Sequence, residues 1–198
     1  MQLAVSRAMQ TVILLQDAPH AAAIRAALCE LGYHVLAELD RPVTLHHEVE
    51  RLAPDLIIVA TETPGAETLA SLASIASSCP RPVVMFAREG GRELIRKAVD
   101  AGVAAYVVDG WARERLVPII EAAVARFDAQ EAIKRDLAST RAKLSERKVI
   151  EKAKGIVMEQ RKLSENEAYG ALRKMAMDQN LALAELARRV VAVAHLLG

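Results

Sequence analysis

Over the first two thirds of the chain, short apolar runs alternate with stretches in which apolar residues return every three or four positions. The runs at 12–15, 34–37, 56–59, 82–86 and 105–108 predict five strands. Between them, the pattern predicts helices over 20–31, 43–52, 68–77 and 92–101, and a fifth from 112 onward. Gly32 and Gly102 mark two of the helix ends. Strands that are apolar throughout, rather than alternating, belong to a parallel sheet covered on both faces. Five such units in about 120 residues predict an α/β doubly wound (β/α)5 domain, assigned to residues 10–127.

The fifth helix does not stop where that domain ends. No glycine interrupts it before Gly155, and its only proline, Pro118, lies in its first turns. Leu116, Ile120, Ala123 and Phe127 follow a coiled-coil spacing, and Ile133, Leu137, Thr140 and Leu144 continue it after a one-step slip. A stripe of this length needs a surface to bury against. A second copy of the chain, giving a homodimer, is the simplest partner; the chain's own domain is the alternative. The connecting helix is assigned to 112–150. Ser164 and Glu167 have capping-box spacing and predict a helix opening there and running through Met177. Asn180 suits a left-handed helix terminus, and a last helix is predicted over 183–196. The C-terminal helical domain is assigned to 137–198.

Composition changes this picture in one respect. At 198 residues and 53% hydrophobic content the chain can build a core, and its net charge of +1 gives no hint of a nucleic-acid partner. That total conceals an asymmetry. Residues 1–127 carry 12 basic and 15 acidic side chains, and residues 128–198 carry 14 and 10. Within 141–162 there are 8 basic and 3 acidic residues. On a helical projection Val149, Ile150, Ala153, Ile156 and Val157 share one arc, and Arg147, Lys148, Lys152, Lys154 and Arg161 are expected on the opposite one. Such an arc is either a solvated helix face or a phosphate-binding surface. The two cysteines, Cys29 and Cys79, show no metal-ligand spacing and read as buried small hydrophobes. No apolar run is long enough for a bilayer, and no secretory leader is visible, so a cytoplasmic protein without a membrane partner is expected.

The (β/α)5 half resembles a response-regulator receiver domain, through its spacing and through Asp55-Leu56-Ile57-Ile58-Val59 followed by Pro64-Gly65. Working receivers combine an acidic pair, a phosphoacceptor Asp, a hydroxyl and a Lys. The corresponding positions here are Gln16-Asp17, Ala60, Ala87 and Asp109. Alanine offers no nucleophile, and Asp109 would repel a phosphoryl group instead of neutralising it. This half therefore reads as a pseudo-receiver for docking and dimerisation. Ala60 is either natural or an engineered replacement of Asp.

The C-terminal third carries Glu151-Lys152-Ala153-Lys154-Gly155-Ile156-Val157-Met158, then Glu167-Ala168-Tyr169, then Leu172-Arg173-Lys174-Met175-Ala176-Met177. This run resembles the ANTAR domain over about 137–195. Ala105-Tyr106-Val107-Val108-Asp109-Gly110 and Thr61-Glu62-Thr63-Pro64 resemble the AmiR/NasT type of regulator, above all the NasT nitrate/nitrite regulators; Ala60 departs from the Asp expected there. The resemblance implies transcription antitermination through binding of two tandem hairpins in a nascent leader mRNA. It also implies control by a ligand-sensing, NasS-like protein in nitrate or nitrite assimilation. The residues carried over as RNA-binding are Arg147, Lys148, Lys152, Ala153, Lys154, Tyr169, Arg173 and Lys174. Lysines would meet phosphate, and Tyr169 a splayed loop base, unless it is a core residue. Ala153 and Gly155 are better explained by close helix packing, which would also let the backbone approach the loop.

Other functions leave weaker traces. A DNA-binding response regulator needs an exposed recognition helix, and the last helix is mostly apolar. A protein-binding adaptor would use the basic helix on an acidic partner. No constellation of catalytic side chains and no Gly-rich phosphate loop is present, and His46-His47 are adjacent and point apart on a helix. No enzyme activity, cofactor or metal is expected.

Overall fold

The computed structural model describes residues 10–16 and 20–197, with side chains from 20 to 194. Five parallel strands, β1 (Gln10–Gln16), β2 (His34–Leu39), β3 (Leu56–Thr61), β4 (Val83–Ala87) and β5 (Ala105–Val108), form a sheet of order β2-β1-β3-β4-β5. The helices between them are α1 (Ala21–Glu30), α2 (Leu45–Leu52), α3 (Ala66–Ser78) and α4 (Arg92–Asp100). A 3-10 turn, Pro42–Thr44, precedes α2 where a single helix was expected; Pro42 presets its backbone.

Alternation along the central strands sorts the core into two layers. Leu56, Ile58 and Ala60 of β3 join Val84 and Phe86 of β4 under α1 and the start of the fifth helix. Ile57 and Val59 join Val83, Met85 and Ala87 on the opposite face, against α2, α3 and α4. Because β3 and β4 are buried on both faces, their sequences are apolar except for Thr61 at the end of β3. The third strand runs two residues further than its apolar pattern predicts, through Ala60 and Thr61.

The long helix α5 spans Arg113–Arg161, followed by α6 (Glu165–Asp178) and α7 (Leu183–Leu197). The chain divides into two compact units between Glu131 and Ala132, inside α5. The expected seam along α5 is two different surfaces. Leu116, Ile120 and Ala123 are fully buried on the sheet, with Phe127 packed beside them. Ile133, Leu137 and Leu144 are 67, 48 and 53% exposed. In the N-terminal stretch the chain's own domain covers the stripe, so the coiled-coil reading fails there. Each buried Leu or Ile contributes roughly 1.5–3 kcal/mol, which the sheet supplies to the first stretch alone.

In the second unit, Ala153 and Val157 of α5 pack with Ala168, Leu172 and Ala176 of α6 and with Leu186 and Ala187 of α7. The Ser164–Glu167 capping box forms as expected: the Glu167 carboxylate accepts from the Ser164 N–H at 2.9 Å, and the Glu167 N–H points to the Ser164 hydroxyl. Asn180 adopts φ 53°, the left-handed conformation expected of it. Among the described residues no helix is long and apolar enough to cross a membrane.

Candidate nucleic-acid interface

The ANTAR-like residues separate into an exposed set and a buried set. Arg147, Lys148 and Lys152 on α5, and Tyr169, Arg173 and Lys174 on α6, have exposed side chains. Tyr169 is 44% exposed, which argues against the core alternative left open by its sequence. It stands one helical turn before Arg173, so the ring and the guanidinium share a helix edge.

Ala153 and Lys154 do not belong to that surface. Ala153 is fully buried between helices and has no route to a ligand. Lys154 is only 9% exposed. Its Nζ lies 2.5 Å from the Glu151 carboxylate and 2.7 Å from that of Glu165. The reason is visible on the helix: Lys154 follows Ala153 by about 100° and precedes Val157 by three residues, so it flanks the apolar arc and does not oppose it. Hydrogen bonds to Glu151 and then Glu165 raise the pKa of Lys154. The same contact with Lys154 holds the Glu165 carboxyl below its ordinary value. Lys154 therefore joins α5 to α6. Glu165, its partner across the turn, has no recognisable role in the sequence alone, because the pairing spans eleven positions and a chain reversal.

Gly155 also departs from expectation. A Cβ built there would meet nothing within 4 Å, so close helix packing does not account for it. The structure adds a groove of about 310 Å³ whose lining includes Ile156, Val157, Arg161, Met175 and Arg189. Its walls come from three helices, so no local sequence pattern shows it.

At the C-terminal ends of the strands, where doubly wound folds place ligands, a cleft of about 240 Å³ is lined by residues including His20, Glu62, Ala87, Arg88, Asp109 and Trp111. Arg88 donates to the Glu62 carboxylate at 3.1 Å, so a guanidinium–carboxylate pair stands at this cleft. Ala60 is fully buried in the apolar layer of α1 and α5. Thr61 points the other way, as alternation requires, and its hydroxyl donates to the Thr63 carbonyl at 3.3 Å. Ala87 is buried, and Asp109 sits at φ 40° with its N–H bonded to the Ala87 carbonyl. The degenerate pair Gln16-Asp17 falls outside this description: Asp17 and the side chain of Gln16 lie outside the described residues. The reading of both cysteines as buried is corrected, since Cys29 is exposed and Cys79 half-buried.

Comparison with known proteins matches these two units. The ANTAR domain profile matches residues 138–191. The transcriptional regulatory protein PdtaR of Mycobacterium tuberculosis is 30% identical over 174 residues, which cover 86% of this chain and 85% of PdtaR. The nitrate regulatory protein of Klebsiella oxytoca is 49% identical over 57 residues, 29% of this chain and 14% of that protein. The receiver domain of a modulated diguanylate cyclase from Desulfovibrio desulfuricans superposes with a TM-score of 0.55 at 23% identity, covering 63% of this chain and 99% of that one. The receiver domain of the response regulator NarL from M. tuberculosis gives 0.53 at 18%, covering 59% and 96%.

A receiver-like β/α fold followed by long helices and an ANTAR domain defines a regulatory protein of the receiver–ANTAR architecture. Within that class, the chain belongs to the family of ANTAR-domain regulatory proteins that includes PdtaR.

Proposed function

We propose that this protein is a transcription antitermination regulator that binds two tandem hairpins in a nascent leader RNA. The observation that carries this reading is the exposure of Arg147, Lys148, Lys152, Tyr169, Arg173 and Lys174 within the ANTAR-matched segment. Cations supply phosphate contacts, and an exposed aromatic beside an arginine suits a base turned out of a hairpin loop. The division of labour follows the chain: a pseudo-receiver over 10–127, a connecting helix over 112–150 and the RNA-binding domain over 137–198. Two chains joined along the exposed part of α5 would present two RNA-binding domains to two hairpins. The second contact then becomes intramolecular and raises affinity without further interactions.

The finer reading is control of nitrate or nitrite assimilation genes in the cytoplasm, with a NasS-like ligand-sensing partner acting on the pseudo-receiver. The segment similar to a nitrate regulatory protein supports it. The test is a gel shift of the full-length protein with a two-hairpin leader RNA, a one-hairpin RNA and duplex DNA at physiological salt. Tightest binding to the two-hairpin RNA is expected. Equal binding to duplex DNA would overturn the RNA reading, and release of the protein from a copurifying partner by nitrate would establish the finer one.

A further inference from the structure

Among the described residues, His46, Glu50 and Cys79 bring an imidazole nitrogen, a carboxylate oxygen and a thiol sulfur within 4.8 Å of one another. They lie on α2 and on the residue that ends α3, far in sequence from the ANTAR-like segment. His46 and Glu50 are one helical turn apart on α2, so their side chains share a face. The backbone N–H of Cys79 bonds to the Ile75 carbonyl, which fixes the cysteine at the end of α3.

Hydrogen bonding orients the imidazole. Ser78 Oγ lies 2.8 Å from His46 Nε2, 3.0 Å from the Ser74 carbonyl and 3.6 Å from the Cys79 sulfur. With Nε2 engaged by Ser78, Nδ1 is the ring nitrogen turned towards Glu50, whose carboxylate is 3.9 Å away. A cation between Nδ1 and the carboxylate would be held by both. The Ser78 hydroxyl meanwhile holds the ring as the outer hydrogen-bonding partners of metal-bound histidines do.

We propose that His46, Glu50 and Cys79 form a binding site for a divalent zinc-class ion, with water in the fourth position. One nitrogen, one thiolate and one carboxylate is a donor set that zinc accepts in tetrahedral geometry, with bonds of roughly 2.0–2.3 Å. Ligand atoms within 4.8 Å of one another close onto such an ion by small side-chain rotations, since ligands at tetrahedral zinc stand roughly 3.3–3.8 Å apart. Binding releases the Cys79 thiol proton to solvent as the sulfur–metal bond forms, with no change of oxidation state. The bound ion would clip α2 to the end of α3.

The experiment is titration of the metal-free, reduced full-length protein with cobalt(II), which gives a thiolate charge-transfer band, followed by displacement with zinc(II). One equivalent is expected, with the band retained in Cys29→Ala and lost in Cys79→Ser. His46→Gln and Ser78→Ala should each weaken cobalt binding by about tenfold or more. No saturable band in the unmodified protein, or a band that follows Cys29, overturns the site. His46→Gln judges it independently of how Cys79→Ser folds: unchanged affinity with a native circular dichroism spectrum would also overturn it.

Discussion

Lys154 shows how little separates a binding cation from a structural one. One residue of helical rotation moves a lysine from the solvent edge to the border of the apolar stripe, where Glu151 and Glu165 neutralise it. Lys154→Ala is therefore expected to lower the melting temperature of the C-terminal unit, with a smaller effect on RNA affinity than Lys152→Ala or Arg173→Ala. Parallel thermal unfolding and gel shifts separate the two effects. If Arg173 or Lys152 contacts phosphate, its removal should also reduce the salt dependence of binding by about one unit of slope. Gly155 gives a complementary test, since neither packing nor backbone conformation requires a glycine there. Gly155→Ala should stabilise the helix by about 0.5–1 kcal/mol. It should weaken RNA binding, because an added methyl keeps the backbone away from a hairpin loop.

At the scale of elements, the joint between α5 and α6 rests on a capping box and an ion pair. Ser164→Ala removes the acceptor for the Glu167 N–H and should cost about 1 kcal/mol, measured by urea unfolding. The joint also has a defined acid response. Hydrogen bonds from the Ser164 side chain and backbone hold the Glu167 carboxyl below its ordinary value, and Lys154 does the same for Glu165. A carboxylate whose folded pKa is lowered stabilises the protein above its unfolded pKa, 4.5 here, and loses that stabilisation as pH falls through the folded value. Stability should therefore fall below about pH 4.5, and Glu165→Gln and Glu167→Gln variants should show a shallower acid limb in melting temperature against pH. In the receiver-like unit, the strand ends set a different limit. Ala60→Asp introduces a carboxylate but leaves Asp109 where a compensating cation is needed. Incubation with acetyl phosphate should leave its intact mass unchanged.

At the scale of the whole molecule, the proposed dimer rests on the second half of the α5 seam. Ile133, Leu137 and Leu144 are exposed, and burying what remains accessible of each would yield roughly 1–2 kcal/mol. Leu137→Asp with Leu144→Asp should convert a two-chain species to a single-chain one by sedimentation equilibrium. The same variant should bind one-hairpin RNA as before and lose its preference for two hairpins. Retained dimer mass would place the dimer contact elsewhere.

Much of this was written locally in the chain. Apolar runs of four or five residues marked the five parallel strands, most clearly β3 and β4, which are buried on both faces and so are built almost wholly of apolar residues. Ser164, Glu167 and Asn180 determined the start of one helix and the turn beyond it through hydrogen bonds and a backbone conformation that involve only near neighbours. The charge asymmetry, and the loss of nucleophile and cation at Ala60 and Asp109, were likewise legible one residue at a time. Tertiary structure alone decided the rest. Sequence periodicity marks the stripe on α5 but not what covers it; the sheet takes Leu116 and Ile120 and leaves Ile133 and Leu137. It marks Lys154 as basic but not as neutralised, since Glu165 reaches it only after the chain reverses. His46 likewise meets Cys79, and not its neighbour His47, because a helical turn directs it across to the end of α3. Local order follows from short-range hydrogen bonding and hydrophobic period, whereas partners follow from which faces the fold brings within a few ångströms.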